Sequence, residues 1–400
     1  AATAELEKLR RQVYDLQQEA NQLELQLTAQ PAGFKQTLAK LTAKQQEVAQ
    51  AQDALAAVQK QLDAAKAPPT KSVDTAARVR SFNTTQLQVD VQPQMTHVPT
   101  AYYHLLSADE YPLVSCTVAT NVANKTKRVR LSAYIEGYSA KAVETVEVKK
   151  GEPKERKLQP TLFAEHIAKV NELTRASLNI EAEDLDTHVV EIHQTQAIWL
   201  LARNSAPLAT YNPTDGSWRD MSQFLGAFVT PNQPDVMAYV RKVAERAPDK
   251  RLLGYQGNAD DQARAIFDTL KQDAKITYVD SLNDFNPNTR TRTQRVRLPR
   301  ESLRDGQANC VDGVVLFASL LEAVTLNPAL VILPQHVIVA WETGRGNGEW
   351  HYLDTTKIDQ RTFDEAREYG QTLADAYEAQ AKTQPAPEKW FRRWSLGELR

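Results

Sequence analysis

The sequence predicts a multidomain α+β protein, and three observations carry that prediction. A heptad seam runs through the first seventy residues. Short segments that alternate apolar with polar residues follow to about residue 210. Helical and strand patterns then mix through the remainder. A chain of 400 residues also exceeds what one ordinary hydrophobic core supports.

The first element is a helical coiled-coil hairpin over 1–70. Leu6, Leu9, Val13, Leu16, Ala20, Leu23 and Leu27 recur at alternating steps of three and four, which is one apolar stripe of a coiled coil. "AQPAG" (29–33) supplies a Pro and a Gly where that helix must stop. Phe34, Leu38, Leu41, Val48, Leu55 and Leu62 then resume the phase, diluted by Gln45, Gln52 and Gln59. Two helices of similar length joined by a short break read as an antiparallel hairpin, or as arms that pair between chains. "KAPPTK" (66–71) closes the element as a stiff linker.

The second element, over 71–215, reads as a β-sandwich. "RVRSFNTTQLQVDVQ", "YPLVSCTVATNV", "KRVRLSAYIEGY", "AVETVEVKK" and "QAIWLLAR" mostly alternate apolar with polar residues, and "TLFAEHIAKVNELTRASLNIEA" interrupts them with mixed character. Val114, Cys116 and Val118 share one strand face, so Cys116 is expected to be a buried structural thiol. His97, His104, His166, His188 and His193 share no spacing in this region. "YNPTDGSWRD" (211–220) is a turn-rich stretch suited to a boundary.

The third element is an α+β core over 216–384, followed by a tail over 385–400. "DVMAYVRKVAERA" and "ADDQARAIFDTLKQD" are helical, and the run after Cys310 is apolar nearly all round, as suits a buried central helix. "ALVILPQHVIVAW" and "GEWHYLDTT" are strands joined through "ETGRGNG", and "TFDEAREYGQTLADAYEAQ" is a further helix. In the tail, Trp390, Phe391 and Trp394 follow helical spacing and are expected to dock on the protein's own surface.

Chemistry concentrates around Cys310. Asn309 is a favoured N-cap and Asp312 stands at the third helical position, so Cys310 falls in the first turn. There, free backbone N–H groups and the helix dipole stabilise a thiolate and supply a donor for an oxyanion. Asp312 opposes this unless its carboxylate turns away into a capping bond. A cysteine nucleophile needs a base, and the base needs an orienting group. His336 begins one strand of the hairpin and Asp354 ends the other. A turn centred near 343–348 would bring 336–337 opposite roughly 354–355. Cys310, His336 and Asp354 thus form a candidate catalytic triad, set against the bland reading of Cys310 as a small core residue.

At these residues the sequence resembles the transglutaminase-like superfamily of papain-fold cysteine enzymes, of the bacterial type. "GQANCVDGVVLFASLLEAVTLNP", "LVILPQHVIVAW" and "WHYLDTT" carry the resemblance in order, with "QRVRLPRESLRDG" similar to a lead-in segment, over roughly residues 216–380. The resemblance implies a papain-like core with Cys310 as nucleophile, His336 as base and Asp354 as orienting acid. It also implies that the preceding sandwich matches a β-domain found ahead of the core in several members. Gln335 departs from the pattern, in which a small Gly often precedes the His.

The expected function is thiol-dependent amide hydrolysis through an acyl-enzyme, that of a cysteine peptidase or amidase acting on a protein or peptide substrate. Acyl transfer to an amine, as in a transglutaminase, uses the same triad. A catalytically inactive scaffold working through the coiled coil and sandwich is the alternative from another class. No cofactor and no metal are expected: no calcium-binding loop spacing appears, and a Cys/His/Asp zinc site lacks a fourth spaced ligand. Lys+Arg of 48 against Asp+Glu of 50, a net charge of −2, gives no pull toward nucleic acid. "RTRTQRVRLPRESLR" (290–304) holds six Arg and one Glu, yet lacks interleaved aromatics and reads as a solvated edge strand. His351 falls on the opposite strand parity from Asp354 and is expected to be a surface or hairpin residue. No apolar run is long enough to span a membrane. The hairpin could serve a homo-oligomer or a partner protein. Two cysteines lean toward a cytoplasmic location, and an exported or membrane-tethered form stays open for a processed chain.

Overall fold

A computed structural model describes residues 2–29, 34–66, 79–212, 217–279, 291–334, 336–384 and 386–400. The breaks and linkers expected at 30–33 and 67–71, and the family departure at Gln335, lie outside the described residues. The chain is mixed α/β with an N-terminal helical hairpin and several sheets. It divides into two compact units: residues 1–71, 228–281 and 297–400 form one, and residues 72–227 with 282–296 form the other.

Helices α1 (Ala2–Ala29) and α2 (Phe34–Lys66) open the first unit. In the second follow β1 (Arg80–Asn83), β2 (Leu87–Pro93), β3 (His97–Val98), β4 (Val114–Thr120), β5 (Lys127–Ile135), β6 (Ala142–Val148) and β7 (Lys154–Leu158). A one-turn helix α3 (Ala164–Ile167) precedes β8 (Thr174–Asp184), β9 (Val189–Leu200), β10 (Ser205–Tyr211) and β11 (Trp218–Asp220). The chain continues through α4 (Pro234–Arg246), α5 (Ala259–Gln272), β12 (Thr277–Tyr278), β13 (Thr291–Arg295), α6 (Pro299–Asp305) and β14 (Gln307–Ala308). It ends with α7 (Cys310–Ala323), β15 (Pro328–Leu333), β16 (His336–Glu342), β17 (Trp350–Leu353), α8 (Phe363–Ala381), β18 (Arg392–Ser395) and α9 (Leu396–Leu399).

The second unit holds a four-stranded antiparallel sheet of order β1-β2-β4-β7 and a five-stranded sheet of order β3-β9-β8-β5-β6. The alternation in sequence becomes burial in space: Leu87, Val89, Val91, Val114, Cys116, Val118, Val129, Leu131, Leu178 and Ile180 are all interior. Burial pushes the Cys116 thiol up to about 12, as an inert core cysteine requires. Lys127 and Asp184, both buried, pair as ions within the β5–β8 ladder. β10 pairs antiparallel with β11, and β13 adds to the other edge of β10. The strand expected in the arginine-rich stretch is thus an edge strand, separated from the Cys310 helix by α6.

In the first unit an antiparallel sheet of order β17-β16-β15-β18 forms the centre. Ala329, Val331, Ile338, Ala340 and Tyr352 pack with Leu373, Ala374 and Tyr377 of α8. On the opposite strand parity, Trp341 packs by its ring against Phe317 of α7. Gly370 lets α8 cross β17 closely: a Cβ there would lie 2.5 Å from the Leu353 backbone. Part of the heptad seam packs within the chain: Ala20, Leu38 and Leu41 close around Tyr369 of α8, while Leu9, Val13 and Leu16 are only partly buried. The tail docks on this unit as expected, with Trp390 buried in the sheet cluster. Its conformation differs, however: residues 392–395 form β18 against β15 rather than a helix, because the edge of β15 offers ladder partners that a short tail helix would lack.

Candidate active site

The N-terminus of α7 is built as the capping residues require. The Asn309 side chain accepts from the Asp312 N–H at 2.8 Å, and an Asp312 carboxylate oxygen accepts from the Asn309 N–H at 3.2 Å. Asp312 is also held from outside the helix. Arg297 donates its backbone N–H at 2.7 Å and a guanidinium N–H at 3.0 Å to the two carboxylate oxygens. Both Asp312 oxygens are therefore engaged in the cap and in an ion pair with Arg297. Burial raises the Asp312 pKa, and the donors from Arg297 and Asn309 work against that rise. Cys310 is the first residue of the helix and is half-buried.

His336 starts β16, opposite Leu333 of β15. The β16–β17 register pairs Val339 with Leu353. Continued by one residue, it sets Asp354 opposite Ile338, two residues from the partner expected at His336. The pair consequently meets on a diagonal across one sheet face, a reach that an imidazole spans. His336 Nε2 lies 3.1 Å from Asp354 Oδ2, which leaves the other ring nitrogen unengaged by that carboxylate, and the Cys310 side chain is near enough to favour a charge on the ring. The structure thus brings Cys310, His336 and Asp354 together.

Asp354 is itself fixed. It is only 2% exposed, and its Oδ1 accepts from the Thr356 N–H at 3.0 Å and the Thr356 hydroxyl at 2.7 Å. This leaves Oδ2 for the imidazole. Burial alone would raise the Asp354 pKa, but the His336 charge and hydrogen bond, with Lys357 and Thr356, hold it well below the usual carboxylate range. Burial likewise opposes a charge on His336. The Asp354 carboxylate and the Cys310 contact outweigh it and push the imidazole up to about 10. The neighbours of the ring thus favour its protonated form, while burial opposes it.

Thr356, Arg297 and Lys357 went unnoticed in the sequence. The signal for Thr356 was legible, since an Asp followed two residues later by Thr is a common side-chain-to-backbone turn. Arg297 lies 15 residues before Asp312 and carries no local signature. His351 lies in the β16–β17 hairpin, half-exposed, one of the two places expected for it. Its Nδ1 lies 2.7 Å from Asp260 Oδ1, and that carboxylate also accepts from Trp341 Nε1 at 2.9 Å and from Arg367. This half-buried cluster ties α5 and α8 to the sheet. Among the described residues no group of His, Cys, Asp and Glu is arranged to hold a metal ion, and no helix is long and apolar enough to cross a membrane. Compared with known proteins, the chain matches no family model and no curated protein.

Proposed function

We propose that this protein is a thiol-dependent amide hydrolase, a cysteine peptidase or amidase, with Cys310 as nucleophile, His336 as base and acid, and Asp354 as orienting group. One observation carries the reading: His336 pairs with the buried Asp354 carboxylate at 3.1 Å and lies beside Cys310, the first residue of a buried helix. The Cys310 sulfur attacks the substrate carbonyl carbon, and the carbonyl oxygen takes the negative charge. The Cys310 backbone N–H, which has no intrahelical acceptor in the first turn, donates to that oxygen. Collapse breaks the C–N bond as imidazolium gives its proton to the leaving amine. Water, losing a proton to His336, then attacks the thioester carbon, and the C–S bond breaks.

The resemblance to the transglutaminase-like superfamily supports the same assignment, with residues 216–384 as a papain-like core and the two large sheets of the second unit as a β-sandwich. On this reading the substrate is a protein or peptide, and the coiled-coil hairpin is a packed part of the catalytic unit. Iodoacetamide or a thiol-reactive acyl probe at neutral pH tests the proposal. Labelling at Cys310 that is lost in His336→Ala is expected, and equal, slow labelling of both proteins would favour an inactive recognition module. Added amine acceptor then separates the chemistries: a hydrolase releases free acid, whereas efficient capture by the amine would reassign the protein as an acyltransferase.

A further inference from the structure

We propose that Arg297 is a positioning residue of the Cys310 site, holding the Asp312 carboxylate turned away from the thiol and cancelling its charge there. This inference rests on the reading of Cys310 as a reactive thiol, and its ground is the geometry of the helix end. Asp312 is fully buried, at 0% exposure, two residues from Cys310 in the same turn. Three donors converge on its two oxygens: the Asn309 N–H, the Arg297 N–H and the Arg297 guanidinium. The guanidinium is the one cation among those donors.

The remaining charged groups around this helix end have other partners. His336 on β16 pairs with Asp354, which follows β17, and Lys357 in the next turn lies near that carboxylate. Glu301 on α6 accepts from the N–H of Leu298. Arg297 is thus the group whose loss would leave a bare carboxylate beside the thiol. Side chains two residues apart on a helix point to different faces, which gives a sulfur–carboxylate separation of roughly 8 Å. At that range an uncompensated unit charge displaces a titration by about 1.5 pH units at an effective dielectric near 20.

The capping role and the charge role predict different results. A cap alone would be served by Asn at position 312 with or without arginine. Charge cancellation makes the effect of removing Arg297 depend on the Asp312 carboxylate being present. Iodoacetamide alkylation of Cys310 in the full chain, followed against pH by peptide mass, reads this directly. Arg297→Ala is expected to move the alkylation curve up by about 1.5 pH units. Arg297→Lys should stay close to the parent, and Arg297→Ala with Asp312→Asn should return to it. Far-ultraviolet circular dichroism and a thermal melt on each variant confirm that folded protein is compared. An unmoved curve in folded Arg297→Ala, or the same upward shift with Asp312→Asn present, would overturn the inference. Because the curve follows the thiol itself, it decides the role of Arg297 even if acyl probes show no turnover.

Discussion

Replacing Asp354 by Asn removes the charge that keeps His336 a cation while preserving shape. The two groups are 3.1 Å apart, and a pair of unit charges at that distance attracts by roughly 5 kcal/mol at an effective dielectric near 20. At about 1.4 kcal/mol per pH unit this corresponds to three to four units, enough for Asp354, with Cys310 adding to it, to outweigh the burial that opposes a charged imidazole. In Asp354→Asn the imidazole should therefore titrate near or below 6.5. Alkylation of Cys310 at pH 7 should fall by a factor on the order of 10²–10³, since the thiolate loses its cation. Two-dimensional NMR of the ring protons gives the titration, and iodoacetamide kinetics give the thiol reactivity. An imidazole that still titrates near 10 in the variant would refute the claim that Asp354 sets its charge.

Three further outcomes follow from the same coordinates. His336 has a raised folded-state pKa, so its stabilising contribution is full below about 6.5 and is lost as pH climbs toward about 10. Asp354 is depressed, so its contribution is present above about 3.9 and is lost as pH falls. The melting-temperature gap between the parent and Asp354→Asn should accordingly be widest near pH 5–6 and shrink toward pH 10; a gap that widens with rising pH would contradict the sign. Gly370→Ala places a Cβ 2.5 Å from the Leu353 backbone, where nothing flexible can yield, so chemical denaturation should show a loss of about 3 kcal/mol or more. Leu41→Ala empties a site that is 1% exposed between the hairpin and Tyr369 of α8, and should cost about 2–5 kcal/mol in the cooperative transition of the first unit. If the hairpin melted separately and left that transition unmoved, its packing role would be disproved.

What the sequence made legible was what local chemistry writes. The Asn309–Asp312 capping pair, the heptad of α1 and the alternation around Cys116 each reflect neighbours within one turn or one strand, and each took the expected form. The meeting of His336 with Asp354 was also legible, because a hairpin forces its two ends together. Its diagonal register was not, since register depends on the loop geometry between Glu342 and Trp350. Longer range escaped entirely. Arg297 reaches Asp312, and Asp260 reaches His351 across 91 residues, through tertiary packing that leaves no spacing to read. The tail misled for a related reason: Trp390, Phe391 and Trp394 are too few to separate a helix from a strand, and the open edge of β15 decided the matter.

The central claim is that Cys310 forms an acyl-enzyme, and a rapid-mixing experiment with a p-nitrophenyl ester tests it most directly. The account predicts a burst of about one equivalent of p-nitrophenolate per chain, with the acyl mass on the peptide carrying Cys310, and no burst in Cys310→Ser. A burst that survives Cys310→Ser, or an acyl group found on other residues while Cys310 stays free, would contradict it.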